Sequence, residues 1–191
     1  MKASRLCAWL WLPLMLLVGC GCDPVHGVLK RAEVEGADVA KAVGASVHRF
    51  KLTLYRRPHG VRIWAEVHRP SEPDVVIEEL GRWTGRGIGG DVVLKPPSEN
   101  FPEFYGAVGT THVRGAVDEM VGPDLENGPF VSILGKTTLR LGSPVTLAVH
   151  IYGDETRGAS ADSLDEYVQA NLRHGTCERI VAYRIAFLPE P

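Results

Sequence analysis

The stretch HRFKLTLYRRPHGVRIWAEVHRP, residues 48–70, decides the fold class. His48, Phe50, Leu52 and Leu54 alternate with Arg49, Lys51, Thr53 and Tyr55. Pro58, His59 and Gly60 supply turn chemistry, and then Val61, Ile63, Ala65 and Val67 alternate with Arg62, Trp64, Glu66 and His68. Successive side chains of a strand point to opposite faces, so each arm reads as a strand with one apolar and one polar face. The two arms are expected to pair as a hairpin.

Working outward, strand signals recur at 74–79, 91–95, 111–117, 130–134, 137–141, 145–152 and 178–188. Turn residues separate them, among them Pro96-Pro97, Gly135-Lys136 and Gly142-Ser143-Pro144. Many short strands at close spacing predict a mainly β domain, a jelly-roll or Ig-like β-sandwich, with a barrel as the other closed solution. The long helices that a parallel α/β sheet needs are missing. One amphipathic helix is predicted over about 164–174. Ser163 and Glu166 form a capping box, and Leu164, Tyr167, Val168 and Leu172 form an apolar stripe. Residues 20–45 read as a tether, in part helical through Leu29, Ala32, Val39 and Val43, which leaves 46–191 as a single domain.

The N-terminus has a different character. Lys2 and Arg5 precede the apolar run LCAWLWLPLMLLV, residues 6–18. That run is shorter than the about 20 residues a membrane-spanning helix needs and fits a secretory signal peptide over 1–19. Its end, Leu17-Val18-Gly19-Cys20, resembles the lipobox of bacterial lipoproteins. The resemblance implies cleavage before Cys20, acylation of Cys20 by palmitate-type chains, and a protein held on an envelope membrane by lipid. Gly21, rather than Asp, follows Cys20; by the same resemblance this favours the periplasmic face of the outer membrane in a Gram-negative cell. Cys7 leaves with the signal, so Cys22 and Cys177 remain, and in an oxidising compartment they are expected to form a disulfide.

Removing residues 1–19 leaves 172 residues and moves the formal net charge from −2 to −4. No basic excess argues for nucleic acid or anionic lipid as a partner. Two phosphate-loop look-alikes fail on context. Gly85-Arg86-Gly87-Ile88-Gly89-Gly90 runs into a strand, not a helix, and reads as a hairpin or surface loop. Gly135-Lys136-Thr137 has Phe130 where the pattern needs glycine. No cofactor is implied. His48 and His68 would approach each other on a hairpin, but no third ligand joins them, so no metal site is expected. The acids Asp154, Glu155, Asp162, Asp165 and Glu166 lack calcium-loop spacing and read as helix cap and solvated loop.

The candidate binding surface is the polar face of the second arm. Trp64 shares parity with Arg62 and His68, and Trp83 lies between two arginines in GRWTGRG. These are either a stacking surface or, for Trp64, a residue covered by a second layer. The composite expectation is a non-enzymatic envelope module that binds protein or polysaccharide. The alternatives are a hydrolase with dispersed residues such as His112, Asp118, Glu119 and Asp154, and a structural subunit of an envelope complex. On the lipobox reading, the intact mass of the membrane-extracted protein corresponds to a chain starting at Cys20 and carrying acyl groups. An unacylated chain, or one cut elsewhere, contradicts it.

Overall fold

In the computed structural model, the described residues are 24–34, 46–70, 72–85, 88–98, 103–117, 130–132, 136–153, 163–174 and 177–191. Eleven strands and one helix fall within them: β1 Gly27–Ala32, β2 His48–Leu54, β3 Gly60–His68, β4 Val76–Thr84, β5 Gly90–Lys95, β6 Phe104–Val108, β7 Thr111–Gly115, β8 Phe130–Ser132, β9 Lys136–Leu139, β10 Pro144–Tyr152, α1 Leu164–His174 and β11 Arg179–Leu188. The strands form two antiparallel sheets. Sheet A has the order β7-β6-β5-β2-β1-β9, and sheet B has the order β4-β3-β11-β10-β8. The protein is a mainly β, sandwich-like fold with one helix near its C-terminus.

The stretch that signals strands does not form the expected hairpin. β2 pairs with β1 and β5 in sheet A. β3 pairs with β11 and β4 in sheet B. Residues 55–59 are therefore a corner between sheets. The same alternation serves either arrangement, because a hairpin and a corner each need one apolar face per strand. In the corner the two apolar faces meet across the core. Phe50 and Leu52 from β2 join Val61, Ile63, Ala65 and Val67 from β3 in one buried cluster. Burying a side chain of this size contributes about 1.5–3 kcal/mol. The corner is tied down by His59 N–H donating to Leu188 O and Gly85 N–H donating to His59 O. The glycine-rich stretch after β4 likewise crosses from sheet B to sheet A instead of closing a hairpin.

Two strands come from segments not expected to be strands. β1 lies within the predicted tether, yet it sits between β2 and β9 with Leu29 fully buried. Its alternation is obscured because Val28 precedes Leu29 and Arg31 shares Leu29's parity. β6 contributes Phe104, whose ring stacks on the buried Tyr183 ring with centroids 6.2 Å apart. Gly106, between the inward residues Phe104 and Val108, hides that strand's pattern. A Cβ there would stand 2.9 Å from the Phe104 ring, so the glycine is a packing requirement. The β6–β7 hairpin turns at Gly109, whose φ of 61° favours glycine.

The helix occupies the predicted span. Glu166 N–H donates to Ser163 Oγ at 3.2 Å, which forms one half of the expected capping box. Tyr167 and Val168 are buried against Val149, Ile151, Ile180 and Ala182 on the outer face of β10 and β11. This second small core covers half of sheet B and leaves β3 and β4 outside the helix's footprint. If β1 is structural, Leu29→Ala destabilises the protein by about 2–5 kcal/mol in urea unfolding. An unchanged midpoint would return residues 27–32 to the role of a tether.

Candidate functional site

The polar face of β3 turns outward on sheet B and carries a chain of charged contacts. Glu66 is its centre. Trp64 Nε1–H donates to Glu66 Oε1 at 2.9 Å. Arg184 Nε lies 2.7 Å from Glu66 Oε2, and both side chains are largely buried. His68 Nε2 is 3.5 Å from the same oxygen. Arg184 also reaches Asp165 Oδ1 at 3.0 Å, and Thr146 Oγ1–H donates to that oxygen at 2.6 Å. The network therefore ties α1 to β10, β11 and β3. Register explains the meeting: Trp64 lies directly opposite Arg184 across β3 and β11.

A second network flanks the first. Arg62 Nε donates to Glu79 Oε2 at 2.6 Å, and Arg82 Nη2 donates to the same oxygen at 3.1 Å. The Arg62 guanidinium carbon also stands 4.9 Å from the Trp64 ring centroid. Trp64 is thus capped on its face by a cation and satisfied at its N–H by a carboxylate. This accounts for a tryptophan of polar parity that is only 6% exposed. Charge here balances locally: Arg62, Arg82 and Arg184 offset Glu66, Glu79 and Asp165.

Beyond the charges, the open side of β4 is apolar. Ile77 lies opposite Glu66 and is 57% exposed, and Val75, two residues earlier, is 43% exposed. β4 is an edge strand of sheet B, with β3 as its hydrogen-bonded neighbour. Such an edge is a template for added backbone unless it is protected. Glu79 and Arg82 blunt its second half, and a register shift opposite Ile63/Trp64 twists it there. Its first half carries the exposed Ile77 instead, and the exposed Val75 directly precedes it.

Of the residues singled out from the sequence, Arg62, Trp64 and His68 come together on this face. Trp64 is covered, not offered as a stacking platform. Trp83 belongs to the opposite face: it lies opposite Val61 and packs half-buried against the main core. The two tryptophans share no surface. His48 and His68 do not meet either. His48 faces inward from β2, and burial, then the Arg31 charge, lowers its pKa to about 4. Burial also lowers the His68 pKa, against the opposing pull of Glu66. Both imidazoles are neutral at neutral pH. Among the described residues no group of three or more His, Cys, Asp or Glu could hold a metal ion.

Cys177 is a free, buried thiol whose Sγ contacts Asn171 O at 3.6 Å in the core under α1. Cys22, the expected disulfide partner of Cys177, lies outside the described residues, like Cys20 and the whole signal. His112 is exposed on β7, stacked with Tyr105, while Asp118, Glu119 and Asp154 lie outside the described residues. Arg184 and Ile77 were not among the residues singled out; Asp165 was read as helix cap, and Glu66 as a polar-face residue of the second arm and not as a binding residue. Parity with Trp64 and His68 could have nominated Glu66. The others depend on pairing across distant strands.

Comparison with known protein families, curated proteins and solved structures finds no match. If Glu66 organises the face, Glu66→Ala leaves Arg184 and Trp64 without their shared acceptor and costs about 3 kcal/mol in urea unfolding. Glu66→Gln keeps an acceptor for Trp64 and costs less. Equal losses for the two variants would mean the acceptor that Gln retains contributes nothing, whereas no loss for Glu66→Gln would mean the charge itself contributes nothing.

Proposed function

We propose that this chain is a non-enzymatic binding module of the cell envelope, held to a membrane by lipid on Cys20, and that it engages a protein partner through the outer face of β3 and β4. The observation that carries the reading is the pairing of an exposed apolar edge, Val75 and Ile77, with a rigid charged floor beside it. Exposed apolar side chains rimmed by ordered polar groups are characteristic of interaction surfaces. Glu66 and Arg184 are held by several contacts each, so little side-chain entropy is lost on docking. The burial of Trp64 favours protein over polysaccharide, because sugar stacking needs an open aromatic face. The first half of β4 has the exposed side chains that a partner strand adding to this edge would cover.

The test is a photoreactive residue placed at Ile77 in the full-length protein in cells. The expected result is a discrete protein adduct that disappears when Val75→Asp is added. The same photoreactive group at Thr53, on the far sheet, gives no such adduct. Absence of an adduct at 77, or the same adduct from both positions, overturns the reading.

A further inference from the structure

The outer face of sheet A carries a charge that the whole-chain composition conceals. Lys136, Lys30 and Lys51 stand side by side across β9, β1 and β2, each opposite the next. All three are exposed, and none pairs with a carboxylate among the described residues. Arg49, Lys95 and Arg114 extend the same face across β2, β5 and β7. Among the described residues, two carboxylates oppose these six cations: Asp91, which binds Arg49, and Glu103, which binds Arg114. Counted over those eight residues, the charge is +4 on a chain whose formal total is −2. The outer face of sheet B, by contrast, balances its charges.

The neighbouring sheet end is apolar and aromatic. Tyr55, just past β2, is 65% exposed, and its N–H donates to His26 O at 2.9 Å. Val25, next to His26, is 44% exposed, and the exposed Arg56 and Arg57 follow Tyr55. An exposed tyrosine and valine among arginines suit the headgroup zone of a bilayer. The lysine row lies three residues along β1 from Gly27, or about 10 Å. Gly27 is seven residues after Cys20, so chain length alone keeps it within about 25 Å of that residue.

We infer that the outer face of sheet A, with Tyr55 and Val25 at its end, docks on the anionic phospholipid surface of the anchoring membrane. This inference rests on the lipid-anchor reading for its geometry, although the face itself stands apart from it. Lipid on Cys20 and the lysine face are then two membrane signals in one short span, and together they hold far more firmly than either alone. Sheet B, on the opposite side of the sandwich, is left facing away from the bilayer with its β4 edge available.

The experiment uses residues 23–191, which contain every strand and both cores found among the described residues. The protein is mixed with vesicles of phosphatidylcholine alone, or with about a third phosphatidylglycerol. Binding to the anionic vesicles, lost in high salt and absent on neutral ones, is expected. The combined variant Lys30→Glu, Lys51→Glu and Lys136→Glu weakens binding by about a hundredfold or more. The milder Lys→Gln set weakens it less, and Arg173→Glu, exposed on α1 over sheet B, leaves it unchanged. Circular dichroism confirms that each variant is folded. No preference for anionic vesicles overturns the inference, as does retention on soluble polygalacturonate with no vesicle binding. The intact mass of the mature protein tests acylation separately, so an acylated protein whose domain ignores anionic vesicles refutes this inference alone.

Discussion

Everything in this fold depends on two apolar faces meeting across one core. Phe50 and Leu52 of one sheet and Ile63, Ala65 and Val67 of the other belong to strands joined by five residues. Because the chain turns a corner there, each strand takes its hydrogen-bonding partners from elsewhere in the sequence. β3 rests between β4 and β11, and β2 between β1 and β5. The backbone groups of each strand are satisfied on both sides by neighbours within its own sheet, and the side chains are satisfied across the sandwich.

Once the core is set, each sheet has an outer face to dispose of, and the two are treated differently. Sheet B covers part of its outer face with α1 and neutralises much of the rest through Glu66, Arg184 and Asp165. A buried carboxylate without partners would carry a large desolvation penalty, so Trp64 and Arg184 are as necessary to Glu66 as Glu66 is to them. Sheet A leaves its outer face polar and cationic. The result is a molecule with a charged side, a balanced side, and an apolar edge confined to the start of β4.

Much of the architecture was legible in the sequence. Alternation in 48–54 and 60–68 marks strands, and the Ser163–Glu166 cap with its apolar stripe marks the helix at its observed span. β1 and β6 escaped because a basic residue and a glycine sit at inward positions, which breaks the two-residue period. Gly106 is there only because the Phe104 ring fills its space, a reason that lies in packing. For the site, parity alone places Arg62, Trp64, Glu66 and His68 on one face. It is silent on Arg184, which reaches Glu66 from more than a hundred positions away, and on Asp165, which holds Arg184 from the helix.

By itself, then, the sequence determined the helix, every strand but β1 and β6, and which side of those strands is apolar, because these follow from local periodicity and capping. Which strands pair, and so whether residues 48–68 form a hairpin or a corner, was decided by tertiary structure. Local alternation is identical in the two cases, and only competition among distant strands for backbone hydrogen bonds separates them. The same pairing gathered scattered lysines into one face. It also buried Trp64 and left Ile77 in the open, since burial depends on what the neighbouring strand brings.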